Sequence, residues 1–104
     1  MPYEIVLAPE AVDDLRRLKA HQRAEVQDAL ERHLRHQPQK TSKARIKRLQ
    51  GISRPEYRLR VGDDLRVFYD VTENAVEVLA IVSKSNADEW LERHGEDDEE
   101  SSTL

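Results

Sequence analysis

Between Tyr57 and Val71 the chain carries two runs in which side-chain character alternates residue by residue. They are Tyr57-Arg58-Leu59-Arg60-Val61 and Leu65-Arg66-Val67-Phe68-Tyr69-Asp70-Val71, separated by Gly62-Asp63-Asp64. Alternate side chains of a strand point to opposite faces, so a period of two predicts two strands, and the short Gly-containing loop joins them as a hairpin. Matching the apolar faces across that loop sets Val61 opposite Leu65 and Leu59 opposite Val67. The same register sets Arg60 opposite Arg66 and Arg58 opposite Phe68. One face of the hairpin is then apolar, with Tyr57 and Tyr69 pointing into the core. The other gathers three arginines and an aromatic ring.

The flanking segments supply the rest of a small α+β domain. Tyr3-Glu4-Ile5-Val6-Leu7 is rich in β-branched and aromatic residues and reads as a strand ended by Ala8-Pro9. Pro9 suits the first helical position, and Ala11, Val12, Leu15 and Leu18 follow helical spacing. A second helix is expected over Gln22–Gln37, with Val26, Ala29, Leu30, His33 and Leu34 as its apolar stripe and Pro38 as its stop. After the hairpin, Thr72-Glu73-Asn74 leads into a third strand at Ala75–Val82, apolar on both faces apart from Glu77, as a central strand should be. Ser85 is placed to cap a short helix over Asn86–His94, with Trp90 and Leu91 packing. The expected order is β-α-α-β-β-β-α, a helical hairpin on one face of a mostly antiparallel four-stranded sheet. The domain is expected over 1–95, followed by a mobile, solvated acidic tail over 96–104; the alternative is that the tail's charge screens the basic face when RNA is absent.

Charge is distributed unevenly along the 104 residues. The formal net charge is −4. Between Arg35 and Arg66, however, ten basic residues stand against Glu56, Asp63 and Asp64, a local net of +7. Residues 71–104 hold two basic residues and ten acids. A concentrated positive stretch in an acidic chain points to a polyanionic partner. The absence of cysteine excludes disulfides, thiolate chemistry and Cys-based zinc sites. The four histidines share no metal-ligand spacing, so no metal and no cofactor are expected. No apolar run has the length of a membrane span, and the N-terminus has no secretory pattern. The cytoplasm is the expected compartment and no membrane partner is expected.

Like charges directly opposed across two strands destabilise a hairpin. Arg60 facing Arg66 with Arg58 beside them is therefore a poor choice for structure alone. It is a good one for holding phosphate, because the guanidinium presents a planar fork of donors to phosphate oxygens and an adjacent ring can stack on a base. Lys43, Arg45, Lys47 and Arg48 lie just upstream, and Lys84 follows the last strand; with Phe68 they are candidate RNA-binding residues. RNA is favoured over duplex DNA because no helix carries a recognition-type basic face.

The stretch Arg48-Leu49-Gln50-Gly51, followed by Tyr57-Arg58-Leu59-Arg60-Val61 and Leu65-Arg66-Val67-Phe68-Tyr69, resembles the central segment of the RelE/ParE toxins of type II toxin–antitoxin systems. The resemblance runs from Tyr3 to about His94. It implies the RelE-like microbial RNase fold and a toxin neutralised by a cognate, RelB-like antitoxin. For RelE-type members it implies a metal-independent, ribosome-dependent mRNA endoribonuclease acting in the ribosomal A site, where the 2′-hydroxyl attacks the adjacent phosphate. By position, Arg58 and Arg60 stand at the family's first two catalytic basic residues and Arg66 at the strand arginine that contacts the scissile phosphate. Ser85 stands where many RelE-type enzymes have an arginine, with Lys84 beside it, and Trp90 or Leu91 falls near their C-terminal tyrosine. The alternatives implied are a ParE-like toxin that inhibits DNA gyrase by protein contact without catalysis, and a homologue that acts mainly by binding its antitoxin.

Overall fold

A computed structural model describes residues 2–97. The elements are β1 (Glu4–Leu7), α1 (Pro9–Arg17), α2 (Ala20–Ala29), β2 (Ile46–Arg48), β3 (Ile52–Arg54), β4 (Tyr57–Val61), β5 (Leu65–Val71), β6 (Ala75–Ser83), α3 (Ala87–His94) and β7 (Glu96–Asp97). Strands β1, β6, β5, β4 and β2 form one sheet in that spatial order, with β1 parallel to β6 and the other pairs antiparallel. The expected α+β layering holds. The main sheet gains a fifth strand, because Ile46–Arg48, within the basic stretch upstream of the hairpin, pairs along β4 at the sheet edge.

Helices α1 and α2 cover one face. Their Ala11, Val26, Leu30 and Leu34 pack with Tyr57, Leu59, Val61, Leu65, Val67 and Tyr69 of the hairpin and with Val76, Val78 and Ile81 of β6. Tyr69 is fully buried and its hydroxyl donates to the Pro38 carbonyl at 2.6 Å, so the ring brings its own polar group a partner. The backbone N–H of Ile81 donates to the Asp14 carboxylate of α1 at 2.9 Å, a side chain serving as the acceptor in place of a neighbouring strand. The turn between β4 and β5 needs Gly62, which sits at φ 59°.

Three details depart from the sequence reading. The second helix does not run regularly to Gln37: after Ala29 it widens into a π-type turn over Leu30–Leu34, both of whose leucines are buried. Ser85 lies within a 3₁₀ turn (Lys84–Asn86) that precedes α3, and its hydroxyl meets Ser83 Oγ at 3.1 Å instead of capping the helix. Glu96 and Asp97, read as the start of a free acidic tail, pair with Ile52–Arg54 as a two-stranded ribbon. Arg54 pairs with Glu96 within that ribbon (3.7 Å) and fastens it to the main sheet through Asp70 (3.2 Å) and Glu77 (3.2 Å). The remainder of the expected tail, 98–104, lies outside the described residues. Among those described, no helix is long and apolar enough to cross a membrane.

Candidate nucleic-acid interface

The face of the sheet opposite α1 and α2 is ordered in rows. Strand pairing sets Asp70 opposite Glu77, then Phe68 opposite both Ala80 and Arg58, then Arg66 opposite both Val82 and Arg60. The hairpin register is the one the alternation predicts, residue for residue from Tyr57↔Tyr69 to Val61↔Leu65. Strand β2 extends the middle row by setting Lys47 opposite Arg58, and the N–H of Arg60 donates to the Arg45 carbonyl at 2.8 Å. Acidic groups thus occupy one end of this face, clamped by Arg54. The other end is basic.

Each arginine is held differently. Arg60 forms an ion pair with Asp63 across the turn and donates from Nε to the Gly62 carbonyl at 3.0 Å. Arg66 is only 7% exposed, and its Nη1 donates to the carbonyls of Leu65 (2.8 Å) and Asp63 (3.2 Å). Arg58 has no carboxylate within ion-pair distance among the described residues, and its buried Nε has no hydrogen-bond partner. Burial, and then the charges of Arg66 and Arg60, push the Arg58 pKa below the ordinary guanidinium value. A half-buried cation with a missing acceptor and two like charges for neighbours is an unstable arrangement that an anion would complete.

The remaining candidates divide. Lys47 is exposed and shares the row of Arg58. Arg45 and Lys43 are exposed at the start of β2, and Lys84 is exposed beyond β6, where its N–H donates to the Asp64 carbonyl at 2.7 Å. Arg48 does not join the arginine face. Its position pairs with core-facing Tyr57, and its guanidinium lies 5.4 Å from the Tyr57 ring and 3.9 Å from Glu56. Phe68 is also excluded as an exposed stacking platform, because α3 lies across it. The ring is 0% exposed and stacks on Trp90 with centroids 5.0 Å apart and planes 9° from parallel. Trp90 Nε1 donates to Glu10 Oε2 at 2.7 Å, which ties α3 to the start of α1.

Sequence reasoning missed one cleft. His33, expected on the apolar stripe of the second helix, is only half-buried, and its Nε2 lies 2.6 Å from Arg45 Nη1. Burial, then Arg45 and Arg32, hold its pKa below the ordinary imidazole value, in keeping with a neutral ring that accepts the arginine proton. The signal was the run of basic residues over 32–45, but their convergence depends on how α2 ends against β2. No group of three or more His, Asp or Glu side chains suited to a metal is present among the described residues.

A family model described as the ParE toxin of type II toxin–antitoxin systems (parDE) matches residues 5–87. No curated protein matches the chain significantly. Among solved structures, the fold is similar to that in the RelB–RelE antitoxin–toxin complex of Methanococcus jannaschii. There the TM-score is 0.62 at 20% identity, over 82% of this chain and 96% of that one. It is also similar to the archaeal RelE–RelB complex of Pyrococcus horikoshii, with TM-score 0.58, 26% identity and coverage of 81% and 97%. The YoeB–YefM complex of Staphylococcus aureus gives TM-score 0.58 at 16% identity, over 77% and 94% of the two chains.

Proposed function

The chain belongs to the ParE toxin family of type II toxin–antitoxin systems, and we propose that it acts on RNA, cleaving mRNA at the ribosome and being neutralised by a cognate antitoxin. The observation that carries this reading is Arg58, a half-buried cation whose Nε lacks an acceptor among the described residues while Arg60 and Arg66 stand beside it. A phosphodiester would supply the acceptor and offset the mutual repulsion. In the cleavage step the 2′-oxygen bonds to phosphorus and the bond to the 5′-oxygen breaks. The products are a 2′,3′-cyclic phosphate and a free 5′-hydroxyl, with no metal called for. The extra negative charge of the phosphorane falls on the arginines. Arginine stays protonated, so these residues stabilise charge and leave proton transfer to other groups. Lys47, Arg45, Lys43 and Lys84 extend the contact along the strand as backbone-binding cations.

The solved relatives are toxins captured with antitoxins, which supports an antitoxin as the partner here. A basic surface suits an acidic segment of such a partner.

A second reading, gyrase inhibition by protein contact, is favoured by the ParE description of the family model and by Ser85 and Trp90 at positions where RelE-type enzymes carry arginine and tyrosine. One assay separates the two. Purified protein is added to a reconstituted translation reaction and, separately, to a supercoiling reaction. Codon-phased mRNA cleavage that is lost in Arg66→Ala supports the nuclease. Blocked supercoiling with intact mRNA overturns it.

A further inference from the structure

Two clefts meet at Arg45. One, about 280 Å³, lies between the start of β2 and the β4–β5 turn and is lined by Arg45, Arg60 and Asp63 among others. The other, about 270 Å³, lies on the far side of Arg45 between the end of α2 and β2, where Arg32, His33, His36 and Lys40 converge. Together they make a groove that starts at the arginine face, crosses the β2 edge of the sheet and ends beside the helical pair. Among the described residues, Asp63 is the one acid in its lining, and it sits at the Arg60 end.

The groove is a built feature. Ser42 Oγ accepts from the N–H of Arg45 at 3.0 Å, which fixes the loop entering β2. His33 Nε2 then holds the Arg45 guanidinium at 2.6 Å, on the ridge between the two clefts. An imidazole acceptor orients the guanidinium without neutralising it, whereas a carboxylate there would have cancelled its charge. Neither Arg45 nor Lys40 has a carboxylate within ion-pair distance among the described residues. Among the described residues Arg32 has only the exposed Asp28, at 3.4 Å. Concavity, aligned donors and unneutralised charge are the features a polyanion backbone needs.

We propose that this groove is a second phosphate subsite, through which a single RNA strand held at Arg58, Arg60 and Arg66 continues over Arg45 to Lys40 and Arg32. The inference rests on the RNA reading of the arginine face and names the path its substrate takes. A single strand fits better than a duplex, because the path turns around a sheet edge and its clefts are small.

The test uses the full chain and a 2′-O-methyl oligoribonucleotide of about ten nucleotides, which cannot be cleaved. Affinity is measured across a salt series for the wild type, for Lys40→Ala with Arg45→Ala, and for Arg58→Ala. The slope of log affinity against log salt is expected to shrink by about 1.4 in the double variant, roughly 0.7 for each lost phosphate contact on a single strand. The imidazole NMR signals of His33 and His36 are expected to move when the oligomer is added to the wild type. Should the double variant lose its fold by circular dichroism, Lys40→Ala with Arg32→Ala replaces it and leaves the Arg45–His33 contact in place. An unchanged slope with still histidine signals overturns the second subsite, and if Arg58→Ala still weakens binding the arginine-face reading survives that result. Loss in the groove variant with none in Arg58→Ala supports the groove and counts against the arginine face. If the groove variant loses affinity for an acidic peptide while its oligomer slope is unchanged, the occupant is a protein segment and the proposal fails.

Discussion

Arg60 and Arg66 stand directly opposite each other across β4 and β5, and both reach Asp63, the first through its carboxylate and the second through its carbonyl. One turn residue thus holds two of the three arginines, and it neutralises only one of them. The Arg60–Asp63 pair is exposed, and such pairs contribute about 0–1 kcal/mol. Asp63→Asn keeps the carbonyl that anchors Arg66 and removes the charge competing for Arg60. RNA affinity at low salt is expected to rise, by about fivefold at most, since 1 kcal/mol is the upper end for such a pair. Fluorescence anisotropy with an uncleavable oligomer reads this directly. A value equal to the wild type would show that the Asp63 carboxylate does not compete with the strand for Arg60.

Arg58 is expected to cost stability in the free protein and to return it on binding. Its Nε is buried without an acceptor, and burial of an unsatisfied polar group costs roughly 1–3 kcal/mol. Arg58→Met keeps most of the volume and removes both the unmet donor and the repulsion with Arg60 and Arg66. The thermal midpoint of the free protein should rise by several degrees, as a gain of about 1 kcal/mol does in a domain of this size. RNA affinity should fall in the same variant. If the midpoint drops, Arg58 is satisfied in solution and the strain argument for its role fails.

Trp90 is expected to act through packing. It lies flat on Phe68 and is tethered to Glu10, so Trp90→Ala removes an aromatic stack, a hydrogen bond and the cover over a fully buried ring. The loss should be about 2–3 kcal/mol, below the value for a fully buried tryptophan because this one is half-exposed. Trp90→Phe should recover most of that loss, since the stack remains and only the bond to Glu10 is lost. Chemical denaturation of the three proteins checks the order. If Trp90→Ala lowers RNA affinity with no loss of stability, the ring serves the ligand and not the fold.

The hairpin register was legible because each side-chain pair reports its face twice, once in each strand, so a slip of one residue would have turned the arginines of one strand toward the core while exposing its apolar residues. The fate of Phe68 was not legible. Alternation assigns it to the arginine face, and whether that face is open depends on the path of α3 after Ser85, which a period of two in β5 does not encode. Arg54 was hidden for a similar reason: its partners Asp70, Glu77 and Glu96 belong to three other strands. Strand β2 is three residues long, too short for alternation to show. Its placement alone sends Lys47 to the arginine face and Arg48 to Tyr57. His33 has helical spacing with Leu30 and Leu34, which suggested an apolar stripe. The wide turn over Leu30–Leu34 leaves it at the margin of the core, within reach of Arg45.

That margin gives His33 a titration with a definite sign. Burial, Arg45 and Arg32 hold its pKa below 6.5, and Asp28 opposes them. The unfolded chain therefore takes up the proton first as pH falls, so the folded state loses stability from about pH 6.5 downward until the lower folded value is passed; above that window His33 contributes no slope. Protonation also removes the acceptor that orients Arg45. His33→Gln supplies a carbonyl oxygen for the same guanidinium and does not titrate in this range. The difference in unfolding free energy between wild type and His33→Gln, measured by denaturant titration between about pH 5 and 7, should be flat near neutrality and turn against the wild type on acidification. Comparing two proteins that differ at one position confines the pH-dependent difference to what that position contributes. A difference that does not change with pH would mean that the Arg45–His33 contact does not control the proton.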